Sequence, residues 1–396
     1  MVRLADRLEK IKPSTTMAVM ALASDMKAKG VDLVDLGAGE PDFPTPDYIK
    51  VLATEAMAKG YTKYTKVDGI PELKEAIAFK FERDNGLKYS PDQIVVTVGA
   101  KQAIYNAVMA TVNKGDEVII PVPYWVSFPE IVKMADGVPV FAQLDPGDEF
   151  RHTEKKFDSY VTGRTTVVIL NSPSNPAGTL LDDEFIHDVI DSAKKNNLLI
   201  ISDETYERIT YEKKYKSIAA YEDAYGLTLT VNSMSKSYSM TGWRIGFAAG
   251  EIGLIKAMSK IQSQSTSNAN SIAQKASVGA LTGDQEDVES MRKEYMERRD
   301  VIYNGLKGLP GIETNKPEGS FFIFPDVSSY YGKAVNGNVI NGSTEFSKFL
   351  VEYAKVIVIP GEAFGSDNNI RISFATSIEE LEKGVRRIGD ALNLLN

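Results

Sequence analysis

Cysteine is absent from the 396 residues, and histidine occurs only as His152 and His187. The first absence excludes thiol catalysis and disulfides; with so few histidines, neither a His-based triad nor a metal cluster is expected. Positive charge is in deficit as well, 45 Lys and Arg against 54 Asp and Glu, for a formal net charge of −9. The chain therefore has no global cationic field to attract nucleic acid or an anionic membrane. No apolar run approaches the length of a membrane-spanning helix, and the opening MVRLADRLEKIKPSTT lacks the apolar core of a secretory signal, so a cytoplasmic protein is expected. No GxGxxG follows a predicted strand, since Gly37-Ala38-Gly39 continues as Glu40-Pro41-Asp42, and no GxxxxGK(S/T) is present. Dinucleotide and P-loop sites thus lack their phosphate cradles. Difficult chemistry has to come from lysine, carboxylates, hydroxyls or a borrowed cofactor.

What the chain does contain is an alternation of textures. Its length and 43% hydrophobic content suit two domains, or one large domain with a smaller partner. From Val31 to Gly250 short apolar runs alternate with amphipathic stretches, the pattern of strands covered by crossover helices. Strands are predicted at 31–36, 93–98, 116–122, 138–144, 165–170, 198–202, 227–232 and 244–250, all rich in Val and Ile. Helices are predicted at 71–86, opened by Pro71 and closed by Gly86, and at 181–197, with acids early and lysines late. Beyond Gly250, helical patterns at 253–263, 270–281 and 284–307 lead to a strand-rich region, FFIFPDV, VIVIPG and IRISFAT, with helices at 343–354 and 377–395. The stretch 330–343, YYGKAVNGNVINGS, reads as a polar surface loop. The expected fold class is α/β: a large domain, 45–288, with a mostly parallel sheet flanked by helices, and a smaller α+β unit formed by 1–44 and 289–396.

Three stretches hold residues suited to chemistry. The predicted strand QIVVTV runs into Gly99-Ala100-Lys101 and a helical pattern, which is either a plain strand-to-helix turn or a helix N-terminus aimed at a phosphate. VNSMSKSYSMTGWRIG (231–246) gathers Ser233, Ser235, Lys236 and Arg244 with no acidic residue among them. Hydroxyls and a guanidinium are groups that hold a phosphate dianion, and a lysine beside them is pushed toward the neutral amine of a covalent nucleophile. NSPSNPAG (171–178) and LLIISDETYE (198–207) each follow an apolar strand. Asn175, Asp203 and Tyr206 then stand at the carboxyl edge of the sheet, where open α/β folds bind ligands. There Asp203 either caps the next turn or holds a pyridine nitrogen protonated.

With Arg371 added, the chain resembles the class I, fold-type I aminotransferases that use pyridoxal 5′-phosphate, in particular the bacterial and thermophile-type aspartate aminotransferases. Nine stretches carry the likeness across nearly the whole chain, in the family's order: KPSTTMAV, LGAGEPDFPTP, KYTKVDGIPELK, VTVGAKQA, PYWVSFPE, NSPSNPAG, SDETYE, SMSKSYSMTGWRIG and IRISFAT.

The resemblance implies a role for each matching residue. Lys236 matches the lysine that bonds to the cofactor and then moves protons as a free amine. Asp203 matches the partner of the pyridine nitrogen, Tyr206 and Asn175 the donors to the ring's phenolic oxygen, and Trp125 the aromatic stacked on the ring. Gly99, Ala100 and Lys101, with Ser233, Ser235 and Arg244, match the phosphate cup, and Tyr64 matches a tyrosine that reaches the neighbouring subunit's cofactor. Arg371, helped by the backbone at Gly39, matches the grip on the substrate α-carboxylate. Lys101, with Ser14 and Thr16, matches the group that reads the distal carboxylate of an acidic substrate. Three small departures stand beside these residues: Ala177 in NPAG where NPTG is usual, Thr205 in DETY where DEIY is usual, and Ala100 in place of a glycine.

The activity so implied is ping-pong transfer of the amino group of L-aspartate to 2-oxoglutarate by a homodimer with shared active sites. The alternatives are a prephenate or broader acidic and aromatic amino acid aminotransferase, a lyase or decarboxylase using the same cofactor, and a cofactor-binding regulator. The last needs an appended DNA-binding segment, and no helix-turn-helix is read in the short stretch before Val31.

Overall fold

The computed structural model describes residues 2–11, 24–26, 28–153 and 155–395. Its strands, in chain order, are β1 (Val34–Asp35), β2 (Ile94–Thr97), β3 (Glu117–Val122), β4 (Val138–Gln143), β5 (Thr165–Asn171), β6 (Leu199–Asp203), β7 (Thr228–Ser233) and β8 (Gly246–Ala249). They continue as β9 (Phe322–Ile323), β10 (Ala334–Val335), β11 (Asn338–Val339), β12 (Val356–Ile357), β13 (Ile359–Pro360) and β14 (Ile370–Ser373).

Seven strands form the central sheet in the order β2-β8-β7-β6-β5-β3-β4. From β4 across to β7 the neighbours run parallel, whereas β8 is antiparallel to both β7 and β2. Alternate residues serve opposite faces. Val95, Ile201 and Val231 belong to one buried cluster, while Val96, Ile200 and Val168 belong to clusters on the other side. Burial on both faces is why these strands read as continuous apolar runs in the sequence. The order of crossovers brings the carboxyl ends of β5, β6 and β7 side by side, which places Asn171, Asp203 and Ser233 along one edge.

Local chemistry explains the helix ends. The helix Asp183–Asn196 starts where the Asp182 carboxylate accepts the Phe185 N–H at 2.7 Å, and it carries Asp183 and Glu184 in its first turn and Lys194 and Lys195 in its last. The helix Pro71–Asn85 has Pro71 at its first position, where no hydrogen bond is lost.

A second core lies beyond the sheet. It gathers Val34, Tyr295, Ile302, Phe321, Phe346, Ile372 and Leu381 around the sheets β13-β14-β9 and β1-β12. The helix Glu286–Lys307 joins the two bodies without a break, with Val288 in a sheet-side core and Tyr295 and Leu306 in the other. The helix expected over 343–354 is α-helical from Ser343 to Phe349 and then widens into a π turn, Leu350–Ala354. Within 330–343 the structure has a β10-β11 hairpin in place of a plain loop; it turns on Asn336 and Gly337, both with positive φ. Among the described residues no helix is long and apolar enough to cross a membrane.

Candidate active site

At the sheet edge, residues from distant parts of the sequence surround one cavity of about 390 Å³. The structure brings Gly39, Ala100, Lys101, Trp125, Asn175, Asp203, Tyr206, Ser233, Ser235, Lys236, Arg244 and Arg371 to its lining. Gly99 lies directly behind it, at the start of the helix Ala100–Thr111. Tyr64 does not line the cavity of its own chain, and its ring is 91% exposed. Ser14 and Thr16 fall outside the described residues.

One end of the cavity is an anion cradle. β2 passes into Gly99, whose φ of 79° favours glycine, and the helix starts at Ala100 with its first N–H groups free of helical partners. The Arg244 guanidinium lies against Gly99, where a Cβ would come within 2.5 Å of it, and donates to the Thr241 carbonyl at 2.9 Å. Gly246, at the start of β8, backs onto the same turn: a Cβ there would stand 2.3 Å from the Gly99 carbonyl carbon and 2.4 Å from the Ala100 nitrogen. Helix N–H groups, the hydroxyls of Ser233 and Ser235 and a guanidinium form a donor set suited to a phosphate.

In the middle stand Lys236 and Asp203. The Lys236 ammonium donates to the Gly39 carbonyl at 2.5 Å. Desolvation lowers its pKa to about 8; Glu40 opposes that shift, and Arg371 and Arg244 reinforce it. Asp203 is buried, which pushes its carboxyl above the usual carboxylate range, while the hydroxyl and N–H of Thr205 pull the other way at 2.7 and 3.2 Å. The Tyr206 phenol is also held above its ordinary value by burial, and Arg371 partly offsets this.

Arg371 closes the other end. It is buried between the rings of Phe322 and Phe364, 4.3 and 5.1 Å from their centroids. Burial lowers its pKa to about 10. One terminal nitrogen donates to the Asn175 side-chain oxygen at 3.1 Å and the other to the Gly37 carbonyl at 3.0 Å. Among the described residues its Nε has no partner and no carboxylate pairs with the guanidinium. A buried cation without an anion is costly, so the arrangement suits an incoming carboxylate. The expectation for Gly39 changes in detail: the Arg371 bond goes to Gly37, while the Gly39 carbonyl is taken by Lys236. Asn175, with its oxygen turned to Arg371, keeps its amide N–H groups as donors.

A strap of chain, 37–43, crosses the site and is fastened on both sides. Thr241 donates to the Glu40 carboxylate at 2.8 Å, and Arg298 donates to Asp42 at 2.7 Å while its guanidinium lies 4.6 Å from the Phe43 ring centroid. Glu40, Thr241, Asn171 and Thr205 line the cavity, and none of them was singled out for the site from the sequence. The conformational demand at Gly246 was equally hidden, because it arises from a turn far away in sequence. The GEPDF string was the available signal for Glu40, and DETY the signal for Thr205.

The pattern of the aminotransferase class I and II family matches residues 31–388 of this chain. An aspartate aminotransferase of Bacillus sp. (strain YM-2) is 46% identical over 97% of this chain and 98% of its own length. A probable aspartate/prephenate aminotransferase of Rickettsia prowazekii is 46% identical over 99% of both chains. Among solved structures, the aspartate aminotransferase of Rhizobium meliloti superposes with a TM-score of 0.96 at 42% identity, covering 100% of each chain. That of Thermus thermophilus with maleate superposes with a TM-score of 0.93 at 41% identity, over 99% of this chain and 100% of the other.

Proposed function

The chain belongs to the class I and II aminotransferase family, and on that premise we propose that it uses pyridoxal 5′-phosphate to transfer the amino group of L-aspartate to 2-oxoglutarate, giving oxaloacetate and L-glutamate. The observation that carries the reading is the grouping in one cavity of a desolvated Lys236, a buried Asp203 and an Arg371 whose Nε is unpartnered.

The residues present suit the cofactor. A Cβ at Gly99 would collide with the Arg244 guanidinium and one at Gly246 with the backbone of the turn, so the two glycines let the helix N–H groups and Arg244 sit together as donors for a phosphate, with Ser233 and Ser235 beside them. Asp203 is the acid for a protonated ring nitrogen, Tyr206 and the Asn175 amide are donors for the ring hydroxyl, and Trp125 offers a flat apolar face. When bound, pyridoxal phosphate supplies an aldehyde reactive toward amines and a ring that withdraws electrons from the substrate's α-carbon. Lys236, with its pKa near 8, holds or releases a proton at Nζ close to neutral pH, as a base for the α-proton must. Arg371 orients the substrate through its α-carboxylate, and burial between two rings keeps water from competing for that contact.

Lys101 at the cavity mouth is the cation for the distal carboxylate, in this proposal with Ser14 and Thr16. Its ammonium is a flexible point charge, so the ring carboxylate of prephenate is an alternative ligand, in line with the name of the Rickettsia prowazekii relative. The proposed enzyme is a homodimer in which the exposed Tyr64 serves the partner's cofactor phosphate. Residues 45–288 form its cofactor-binding body, and 1–44 with 289–396 form the unit that closes over the substrate, a division supported by a second core drawn mostly from the latter, with Tyr206, Ile209 and Tyr211 reaching into it from the former. A cytoplasmic location is part of the same proposal.

The test is a spectrum of the purified protein with added cofactor, followed by single additions of aspartate, glutamate, prephenate (after glutamate) and phenylalanine. Aspartate is expected to bleach the cofactor's visible band and release one equivalent of oxaloacetate, and 2-oxoglutarate to restore it; Lys236→Ala is expected to bind cofactor and do neither. A Lys236→Ala protein with near-normal turnover sinks the assignment.

A further inference from the structure

Thr205 stands where the family resemblance leads one to expect isoleucine, and it touches the most deeply placed acid of the site. Asp203 ends β6, and among the described residues both hydrogen bonds that its carboxylate accepts come from Thr205. The backbone N–H reaches Oδ1 at 3.2 Å, and the hydroxyl reaches the same oxygen at 2.7 Å. Any residue but proline supplies the first bond; the second needs a side-chain donor, here the threonine hydroxyl.

Two consequences follow from that geometry. The terminal torsion of an aspartate is broad, so a carboxylate held by one long backbone bond can swing, whereas two donors converging on Oδ1 pin it. The pinned oxygen also leaves Oδ2 as the one without a protein donor. Electrostatics adds a second effect. Burial biases Asp203 toward its neutral form, and a hydroxyl that donates to the anion opposes this bias. Among the described residues the only cation acting on Asp203 in the same sense is Lys236, and its charge changes as it takes and gives up protons. The hydroxyl contribution is constant.

We propose that Thr205 is a positioning residue for the cofactor's ring nitrogen: its hydroxyl holds the Asp203 carboxylate ionised and in one orientation, so that Oδ2 is presented to a protonated heteroaromatic nitrogen. This rests on the pyridoxal phosphate reading above. The small departure from the family's usual motif is thereby a working part of the site.

The experiment compares T205V, which keeps the branched shape and loses the hydroxyl, with T205S, which keeps the hydroxyl and loses a methyl. The full-length holoenzyme is loaded with cofactor labelled with 15N in the ring. Its nitrogen chemical shift is read alongside kcat and KM for aspartate. In wild type and T205S the shift is expected to be that of a protonated nitrogen. In T205V it is expected to move toward the unprotonated value, with kcat lowered about tenfold and KM within about threefold. A packing role gives the reverse order, T205S impaired and T205V not. That order, or an unmoved nitrogen shift in T205V, overturns the proposal. A wild-type protein that takes up no cofactor overturns the functional reading beneath it, and the proposal with it.

Discussion

The ammonium of Lys101 lies 4.9 Å from the centroid of the Trp125 ring. The lysine is the second residue of the helix Ala100–Thr111, at an end where the helix dipole disfavours a cation, and both desolvation and the nearby Arg244 lower its pKa. The indole face offsets part of this cost and parks the charge at the mouth of the cavity. A cation held there without a carboxylate is positioned to meet one on a ligand.

Lys101→Ala is accordingly expected to lower kcat/KM for aspartate by about a hundredfold and for phenylalanine by no more than about threefold. Steady-state kinetics on both substrates checks it. Equal losses would remove Lys101 from distal-carboxylate recognition and leave the aminotransferase assignment standing.

Asp203→Ala is expected to slow the half-reaction with aspartate by at least about a hundredfold while weakening cofactor binding far less. The proposed phosphate cradle is built from other residues, Gly99, Ala100, Ser233, Ser235 and Arg244, and is untouched by the change. Stopped-flow absorbance and cofactor titration separate the two effects, and an unchanged half-reaction rate contradicts the role given to this acid.

Tyr64→Phe is expected to raise the cofactor dissociation constant about tenfold in a protein that remains dimeric, since one hydrogen bond to a charged group is removed. Equilibrium dialysis and sedimentation check the two halves of this statement. Unaltered affinity argues against a shared site.

Gly246→Ala tests the cradle from behind. The new methyl has to displace backbone atoms of Gly99 and Ala100, not a flexible side chain, so the turn moves. Affinity for inorganic phosphate, read by calorimetry on the cofactor-free protein, is expected to fall at least about tenfold, with about 1–3 kcal/mol of stability lost. Wild-type phosphate affinity in the variant would show that this turn does not hold the anion.

Glu204, next to Asp203, gives a prediction on pH. Burial, with Glu207 nearby, raises its pKa from 4.5 to about 7, although Ser202, Ser217 and the Ile218 N–H all donate to one of its oxygens. Between those values the folded protein keeps a proton that the unfolded chain has released, so stability falls as pH rises. The contribution is complete below 4.5 and lost above about 7. Glu204→Gln removes this dependence. Urea melts at about pH 5 and about pH 8 are expected to show the variant gaining on wild type by on the order of 3 kcal/mol. Parallel curves would place the ionisation elsewhere.

The apolar strands were legible because β-branched runs buried on both faces leave an unmistakable pattern, and the placing of candidate residues such as Asp203 and Ser233 at their ends followed from position, while the roles proposed for them came from the resemblance. The direction of β8 was not, since nothing local in RIGFAAG says that the chain has turned back between β7 and β8. The β10-β11 hairpin was missed for a different reason: Asn336-Gly337 is a strong turn pair, but it sits in a polar tract with little strand character around it. In the site, residue types pointed to Lys236, whereas Arg371 was reached only through the family resemblance. The choice of Gly37 over Gly39 as the arginine's acceptor, the hold of Arg298 on Asp42 and the Thr205 bond depend on how segments from opposite ends of the chain meet.

The strap 37–43 sets one datum for two measurements. Arg371 registers on the Gly37 carbonyl and Lys236 on the Gly39 carbonyl, so the group proposed to locate a substrate and the group proposed to handle its proton are both gauged from the same few backbone atoms. That stretch is pegged at Glu40 to Thr241 of one body and at Asp42 to Arg298 of the other, so a displacement of either body is felt at the common origin. The spacing between the proposed grip and the proposed base is thereby tied to both cores through one short stretch of backbone.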